Sequence, residues 1–199
     1  MSGNPENTKL RHLGYERKRL SAGKSIFPAK TIFQPKLPFF AFNIYSVLRR
    51  VQKRFPSLAE KCVPVWIMNQ PTLACIENGQ STSISLHPIL NHPQTPELII
   101  EYILTHELLH LVVGPRKIDG IFKQHPPEFY DAEKRIFPES GQAWAWLTLV
   151  FGNCLKKDSK KECVFVKMWW RRLMNLDRPS IEQMSDMQGY QSSTVNPKT

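Results

Sequence analysis

Residues 96–115 read PELIIEYILTHELLHLVVGP, and this stretch decides the fold that we predict. Thr95 supplies an N-cap, and the Pro-Glu pair after it gives a favoured first helical residue and a negative charge at the positive end of the helix dipole. Gly114 and the proline after it end the helix, because proline cannot continue the hydrogen-bond ladder. A helix of about 18 residues would be about 27 Å long. Apolar side chains occupy nearly its whole circumference, so we expect it to lie buried across the centre of the domain.

A second, amphipathic helix is predicted upstream, over residues 39–55. Its apolar side chains recur at helical spacing on one face and its basic side chains lie opposite, until Pro56 ends the pattern. The apolar stripe consists of Ile44, Val47, Leu48, Val51 and Phe55, and the basic face of Arg49, Arg50, Lys53 and Arg54. We expect the apolar stripe to cover the core, and the basic face to be solvated rather than bound to a polyanion.

Short apolar runs between the two helices predict a small β-sheet. Residues 64–69 and 72–77 are rich in strand-forming side chains, and Asn78 and Gly79 give a strong turn signal before a third run over residues 81–86. The predicted fold class is therefore α+β, with a small sheet packed on the central helix and additional helices around it.

Three more helices are predicted downstream of the central one. They cover residues 126–137, 140–155 and 164–176, and Pro138 separates the first two. The last helix would place Val166, Trp169, Trp170, Leu173 and Leu176 on one side, with Trp144 and Trp146 nearby. We interpret these tryptophans as core residues rather than as a platform for stacking nucleic-acid bases, which needs exposed rings.

The central helix carries an H-E-x-x-H pattern formed by His106, Glu107 and His110. Four residues along a helix correspond to about 6 Å of rise and about 40° of rotation, so both imidazoles project from one face and can bind one ion. Glu107 lies on the neighbouring side, where a carboxylate can act as general base toward a zinc-activated water. Burial of three polar side chains among leucines and isoleucines is costly unless a divalent ion satisfies them. We therefore predict one zinc ion (Zn²⁺) per chain, rather than two histidines satisfied within the core.

A catalytic zinc site normally has three protein ligands and one open position. Metzincins place the third histidine six residues after the second, where this chain has Arg116, so that class is excluded. His125 is the preferred third ligand, and Glu128 is the alternative, since a helical glutamate completes other zinc sites. The remaining histidines, His12, His87 and His92, are expected at the surface.

The composition suits one domain with a flexible end: the chain has 199 residues and a formal net charge of +10 at pH 7. Residues 1–36 hold eight basic and two acidic side chains, so we predict a basic flexible arm that could attract nucleic acid. We place the folded domain at residues 37–176 and a polar tail at 177–199. The four cysteines lack the short spacing of a zinc ribbon and are expected to be reduced and mostly buried. No secretory signal or membrane-spanning run is apparent, so the expected compartment is the cytoplasm.

The motif segment THELLHL and the segment HPPEF, which begins at His125, resemble the SprT-like zinc peptidases and the related YgjP-like metal-dependent hydrolases. The flanking segments ISLHPIL, PELIIEYILTHEL and IFPESGQAWAWL are similar to the YgjP-like layout, so the resemblance covers roughly residues 64–150. It implies a compact, minigluzincin-like zincin core in which His106, His110 and His125 hold zinc and Glu107 is the catalytic base.

The function that we predict is zinc-dependent hydrolysis of peptide bonds in a protein or peptide substrate, with no membrane partner. Residues 81–86, as a strand at the sheet edge, would pair with an extended peptide. Tyr130 is considered as an oxyanion donor, although a core tyrosine is the favoured interpretation. Two alternatives stay open: a SprT-like protease acting on protein held on nucleic acid, and a non-catalytic module stabilised by zinc.

Overall fold

The computed structural model describes residues 40–79, 81–158 and 163–186, which lie in one compact unit. The predicted basic arm at 1–36, with His12, and the last part of the predicted tail lie outside these ranges. Helices and small sheets are mixed along the chain, which confirms the α+β class; the zincin core stays a prediction. Within the described ranges, none of the helices combines the length and the apolar character needed to cross a membrane.

Helix α1 (Ile44–Gln52) is capped at its N-terminus by Asn43. The Oδ1 atom of Asn43 accepts hydrogen bonds from the backbone N–H groups of Tyr45 and Ser46. A short 3-10 helix, Pro56–Leu58, follows it. The predicted apolar stripe is confirmed, because each of its five side chains is at most 3% exposed. Burial of these side chains holds α1 against the core.

Acidic side chains of the central helix partly neutralise the positive charge on the opposite face of α1. Arg50 forms ion pairs with Glu97 and Glu101, and Arg54 forms one with Glu101. Arg50 and Arg54 are therefore engaged in ion pairs within the domain. That this face is solvated rather than bound to a polyanion stays a prediction.

The main sheet contains β1 (Val65–Ile67), β2 (Ala74–Asn78) and β3 (Thr82–Leu86) in the order β1-β3-β2. β1 is parallel to β3, and β2 is antiparallel to it across the predicted turn. Ile84 and Leu86 of β3 are fully buried. The prediction that residues 81–86 form the sheet edge is wrong, because β3 lies between the other two strands; β2 is an edge strand.

The central helix, α2 (Glu97–Leu109), lies in the core as predicted, with Ile99, Ile100, Leu104, Leu108 and Leu109 fully buried. It has 13 residues, fewer than predicted. The chain beyond it tightens into i to i+3 turns, in which the N–H groups of Leu111 and Val112 bind the carbonyls of Leu108 and Leu109. These tighter turns end the regular helix one residue before the second histidine of the motif.

The start of α2 also differs from the prediction, since Pro96 rather than Thr95 occupies the N-cap position. The Thr95 hydroxyl is engaged elsewhere: it donates to the Leu90 carbonyl at 2.8 Å and accepts from the Arg178 guanidinium at 2.6 Å. The Thr95 hydroxyl therefore bonds residues outside the helix instead of capping it, as the local pattern had predicted.

A hairpin of β4 (Arg116–Ile118) and β5 (Ile121–Lys123) connects the central helix to the next one. Its turn residues, Asp119 and Gly120, have φ angles of 49° and 80°, as the two central residues of a type I′ turn require. Helices α3 (Pro127–Ile136) and α4 (Ser140–Phe151) follow and confirm the two predicted helices on either side of Pro138.

The predicted helix over 164–176 is wrong in its first part. Residues 163–166 form β7 (Cys163–Val166), which pairs with β6 (Leu155–Asp158), because the run Val-Phe-Val favours a strand once a partner strand is available. A 3-10 helix, Met168–Asn175, follows with three residues per turn. This shorter period buries Trp170 and leaves Trp169 39% exposed and Leu176 55% exposed.

The tryptophans and cysteines are less uniformly buried than predicted. Trp146 and Trp170 belong to the core, whereas Trp144 is exposed. Cys154 is buried, Cys163 is half-buried, and Cys62 and Cys75 are exposed, so the expected burial fails for two of the four cysteines.

Residues 177–186, which we expected to belong to the polar tail, pack against the core. The indole Nε1–H of Trp146 donates to the Pro179 carbonyl at 2.8 Å, and Met184 is 1% exposed. The Arg178 guanidinium lies over the Phe151 ring, 5.0 Å from its centroid, and burial lowers the pKa of Arg178 to about 10. Packed structure therefore continues beyond the predicted domain end at residue 176.

Candidate metal centre

Two histidines of the motif project from the C-terminal end of α2. His106 lies within the helix and His110 directly follows it, with φ −60° and ψ −22°, so the helical spacing continues through the second histidine. Their ring centroids are 5.1 Å apart. The four-residue spacing thus places both rings on one face, as predicted.

The third predicted histidine joins them from the far side of the β4–β5 hairpin. His125 Nε2 lies 3.2 Å from His106 Nε2 and 3.2 Å from His110 Nε2. All three ligand atoms lie within 4.8 Å of one another, close enough to bind one metal ion. The structure therefore brings together the three residues that the sequence selected as ligands.

Two of the three separations between these nitrogens, 3.2 Å each, are close to those around a tetrahedral zinc ion. Zinc held about 2.0–2.1 Å from each ring nitrogen would set tetrahedral ligand nitrogens about 3.3–3.4 Å apart. A cation bound between the rings would engage all three lone pairs at once.

The environment of the His110 ring favours its neutral form. Burial, followed by the proximity of His106 and His125, lowers the pKa of His110 to about 3. The ring is therefore neutral at physiological pH, and a neutral imidazole is the form that binds metals.

Phe129, four residues after His125, packs its ring against all three imidazoles. Its centroid lies 5.1 Å from that of His106, 4.6 Å from that of His110 and 4.8 Å from that of His125. The ring is fully buried on α3. Phe129 forms an apolar floor under the cluster and restricts the rotation of the three rings.

Glu133 is a site residue that the sequence analysis missed. Its Oε1 lies 2.6 Å from His106 Nδ1, and the residue is 8% exposed. Tyr102 of α2 is a neighbour of Glu133: burial, followed by the charge of this carboxylate, raises the pKa of Tyr102. The sequence held a signal: Glu133 is an acidic residue in the buried stripe of α3, four residues after Phe129.

Burial affects His106 as well, but the acidic neighbours outweigh it. Although burial lowers the pKa of His106, the hydrogen bond that His106 donates to Glu133 and the charges of Glu107 and Glu133 raise the pKa above its ordinary value. The two histidines of the motif therefore differ: carboxylate neighbours raise the pKa of His106, whereas burial lowers the pKa of His110.

Glu107 follows His106 on α2 and is 7% exposed. Burial raises the pKa of Glu107, while the charge of His106 and the nearby Ile76 backbone N–H lower it in part. The carboxylate therefore lies near β2, the strand that contains Ile76.

The alternative third ligand, Glu128, does not join the cluster. Both of its carboxylate oxygens bind the Arg116 guanidinium, at 2.9 and 3.0 Å, in an exposed ion pair. Tyr130 lies with its ring centroid 6.0 Å from that of His125 and is 55% exposed, so the interpretation as a core tyrosine is wrong.

Of the other histidines within the described ranges, one differs from expectation. His87 is 1% exposed and meets the Trp170 ring edge-on at 4.7 Å, so its expected surface position is wrong. Its Nδ1 accepts a hydrogen bond from the Ile89 N–H, and burial lowers the pKa of His87 to about 4. His92 is half-buried.

Comparisons of the chain with protein-family models, with curated proteins and with solved structures find no match. The resemblance to the SprT-like peptidases stays a prediction.

Proposed function

We propose that the chain is a zinc-dependent metallopeptidase in which His106, His110 and His125 hold one zinc ion and Glu107 is the general base. One observation carries the proposal: three imidazole nitrogens lie within 4.8 Å of one another, and the helix that carries the first of them also carries the buried carboxylate of Glu107. Three protein ligands are typical of catalytic zinc, since they leave the fourth position to water or substrate.

The chemistry divides between the ion and the chain. A zinc ion held by the three histidines would supply Lewis acidity, polarising the scissile carbonyl and lowering the pKa of water toward about 7. The Glu107 carboxylate would accept the proton of the attacking water and pass it to the leaving amine. Burial raises the pKa of Glu107, which brings this carboxyl group nearer to the range in which one residue can both accept and donate a proton.

The peptide would lie along β2 rather than along residues 81–86. The His87 N–H binds the Leu73 carbonyl, and in an antiparallel pair the hydrogen-bonded positions alternate. The backbone groups of Ala74, Ile76 and Asn78 therefore face away from β3, in the direction of the next strand position. The Ile76 N–H meets Glu107 there, so this edge supports an extended substrate next to the general base.

The proposal is tested by comparing Glu107→Gln with the wild type for zinc content, stability and hydrolysis of a mixture of unstructured peptides. Glutamine keeps the shape of the side chain but cannot accept and return the proton, so we expect the variant to retain zinc and to lose about 10²–10⁴-fold in rate. Glu97→Gln is the matched control, since Glu97 lies on the same helix, 42% exposed in its ion pair with Arg50.

Full activity of Glu107→Gln would remove the general base from the proposal. A zinc-loaded wild type that hydrolyses no peptide, and unfolds when zinc is chelated, would instead assign the ion a structural role.

A further inference from the structure

Glu133 lies between two side chains of the central helix. On α3, it contacts His106 through a 2.6 Å hydrogen bond and lies close enough to Tyr102 to raise the pKa of that side chain. Only 8% of the residue is exposed, and a carboxylate with so little solvent needs polar partners to be stable. Both partners approach from α2, one turn apart.

We propose that Glu133 is a positioning residue of the metal centre, which holds His106 with Nδ1 protonated and turns its Nε2 lone pair toward His110 and His125. Tyr102 is a neighbour of this carboxylate. This inference rests on the proposed metal site, because its purpose is to prepare one ligand for the ion.

The tautomer is the physical basis of this role. A neutral imidazole carries its hydrogen on one of two nitrogens, and only the other nitrogen can bind a metal. A carboxylate 2.6 Å from Nδ1 favours the hydrogen at that position, because only then is a charge-assisted hydrogen bond formed. Nε2 is then left with its lone pair directed at the other two rings.

Tyr102 is a second neighbour of Glu133. Tyr102 is 8% exposed, and its ring packs against Phe137 with the centroids 5.8 Å apart. The Glu133 carboxylate contributes to the raised pKa of Tyr102, so the Tyr102 hydroxyl keeps its hydrogen beside this carboxylate. The hydrogen bond to Glu133 orients the His106 ring before an ion arrives.

A purely structural role for Glu133 would have a different signature. Loss of a buried polar contact would destabilise the zinc-free and the zinc-loaded protein alike. A positioning role predicts in addition a change of the His106 tautomer and a loss of zinc affinity that the stability of the zinc-free protein does not account for.

The test compares Glu133→Ala and Glu133→Gln with the wild type in the full chain. Zinc affinity is measured by competition with a chromophoric chelator, and the His106 tautomer by long-range ¹⁵N NMR of the zinc-free protein at a pH where the ring is neutral. The alanine variant is expected to lose about 10–100-fold in zinc affinity and to shift His106 away from the Nδ1–H tautomer. Glutamine can still accept through its amide oxygen, so a smaller loss is expected.

Glu128→Gln is the matched control, because Glu128 lies on the same helix and contacts Arg116 rather than a histidine. Should the alanine variant fail to fold, Glu133→Gln and Tyr102→Phe carry the test, the latter with an expected loss of a few-fold in affinity. Zinc affinity and tautomer equal to those of Glu128→Gln in the folded variants would overturn the inference. A wild type that binds no zinc would overturn the proposed function instead, whereas the tautomer measurement would still decide the role of Glu133.

Discussion

The Nε2 atoms of His110 and His125 lie 3.2 Å apart, although a complete β-hairpin separates the two residues along the chain. His110 directly follows α2, and His125 lies two residues before the start of α3, so the hairpin returns the chain to the point from which it left. The tight turn at Asp119 and Gly120 makes this return possible within few residues. The metal centre therefore depends on the hairpin as much as on the helix.

The third ligand can be identified by substituting each of the two candidates, His125 and Glu128. His125→Ala is expected to lose bound zinc on dialysis, because two histidines from one helix hold the ion weakly without a third ligand. Glu128→Ala is expected to keep about one zinc per chain, since Glu128 is engaged with Arg116. Elemental analysis of both proteins measures this. The reverse pattern, with zinc kept in His125→Ala and lost in Glu128→Ala, would assign the role to Glu128.

Phe129 is expected to stabilise both the fold and the cluster. Phe129→Ala should lower the free energy of unfolding by about 3–5 kcal/mol, because it leaves a cavity beneath three imidazole rings. Phe129→Leu, which refills much of that space, should cost clearly less. Urea unfolding measures both, with Ile121→Ala as a control at a side chain that is 61% exposed. Similar losses for Phe129→Ala and Ile121→Ala would show that the ring is not packed as described.

The buried His87 should make the fold sensitive to acid. Burial lowers the pKa of His87 to about 4, whereas the unfolded chain takes up this proton near 6.5. Between these values the unfolded state binds more protons, so the free energy of unfolding falls as the pH falls, by about 3 kcal/mol from this group at most. Above about pH 6.5 the contribution is constant.

His87→Asn tests this dependence, because asparagine does not titrate and can still accept a hydrogen bond from the Ile89 N–H. Urea unfolding of both proteins between about pH 7 and pH 4 should show a shallower decline for the variant. Parallel curves would mean that His87 is not protonated on unfolding in this range.

Residues beyond the predicted domain end are expected to be needed for stability. A chain that stops at residue 176 loses Met184 and the Pro179 carbonyl that accepts from Trp146, and should be less stable by about 3 kcal/mol or more. A chain that stops at residue 186 keeps both and is the control. Thermal unfolding of the two truncated chains makes the comparison. Equal midpoint temperatures would show that the folded domain ends at residue 176.

Most of the helices and the main hairpin could be predicted from the sequence, because their signals are local. The apolar stripe of α1 repeats at helical spacing, and Asn78 with Gly79 specifies the turn between β2 and β3. Short segments were less certain: residues 164–166 suit a helix or a strand by pattern alone, and pairing with β6 decided between them.

For the candidate site, the sequence by itself determined that His106, Glu107 and His110 share one part of a buried helix, because helical geometry fixes neighbours four residues apart. Only the tertiary structure decided that His125 rather than Glu128 reaches those rings, that Glu133 holds His106, and that β2 rather than β3 forms the edge beside Glu107. The physical reason is the distance along the chain between the residues that interact. Local periodicity sets which side chains share a face, whereas contacts between elements depend on how a hairpin closes and how a helix packs, which no single segment encodes.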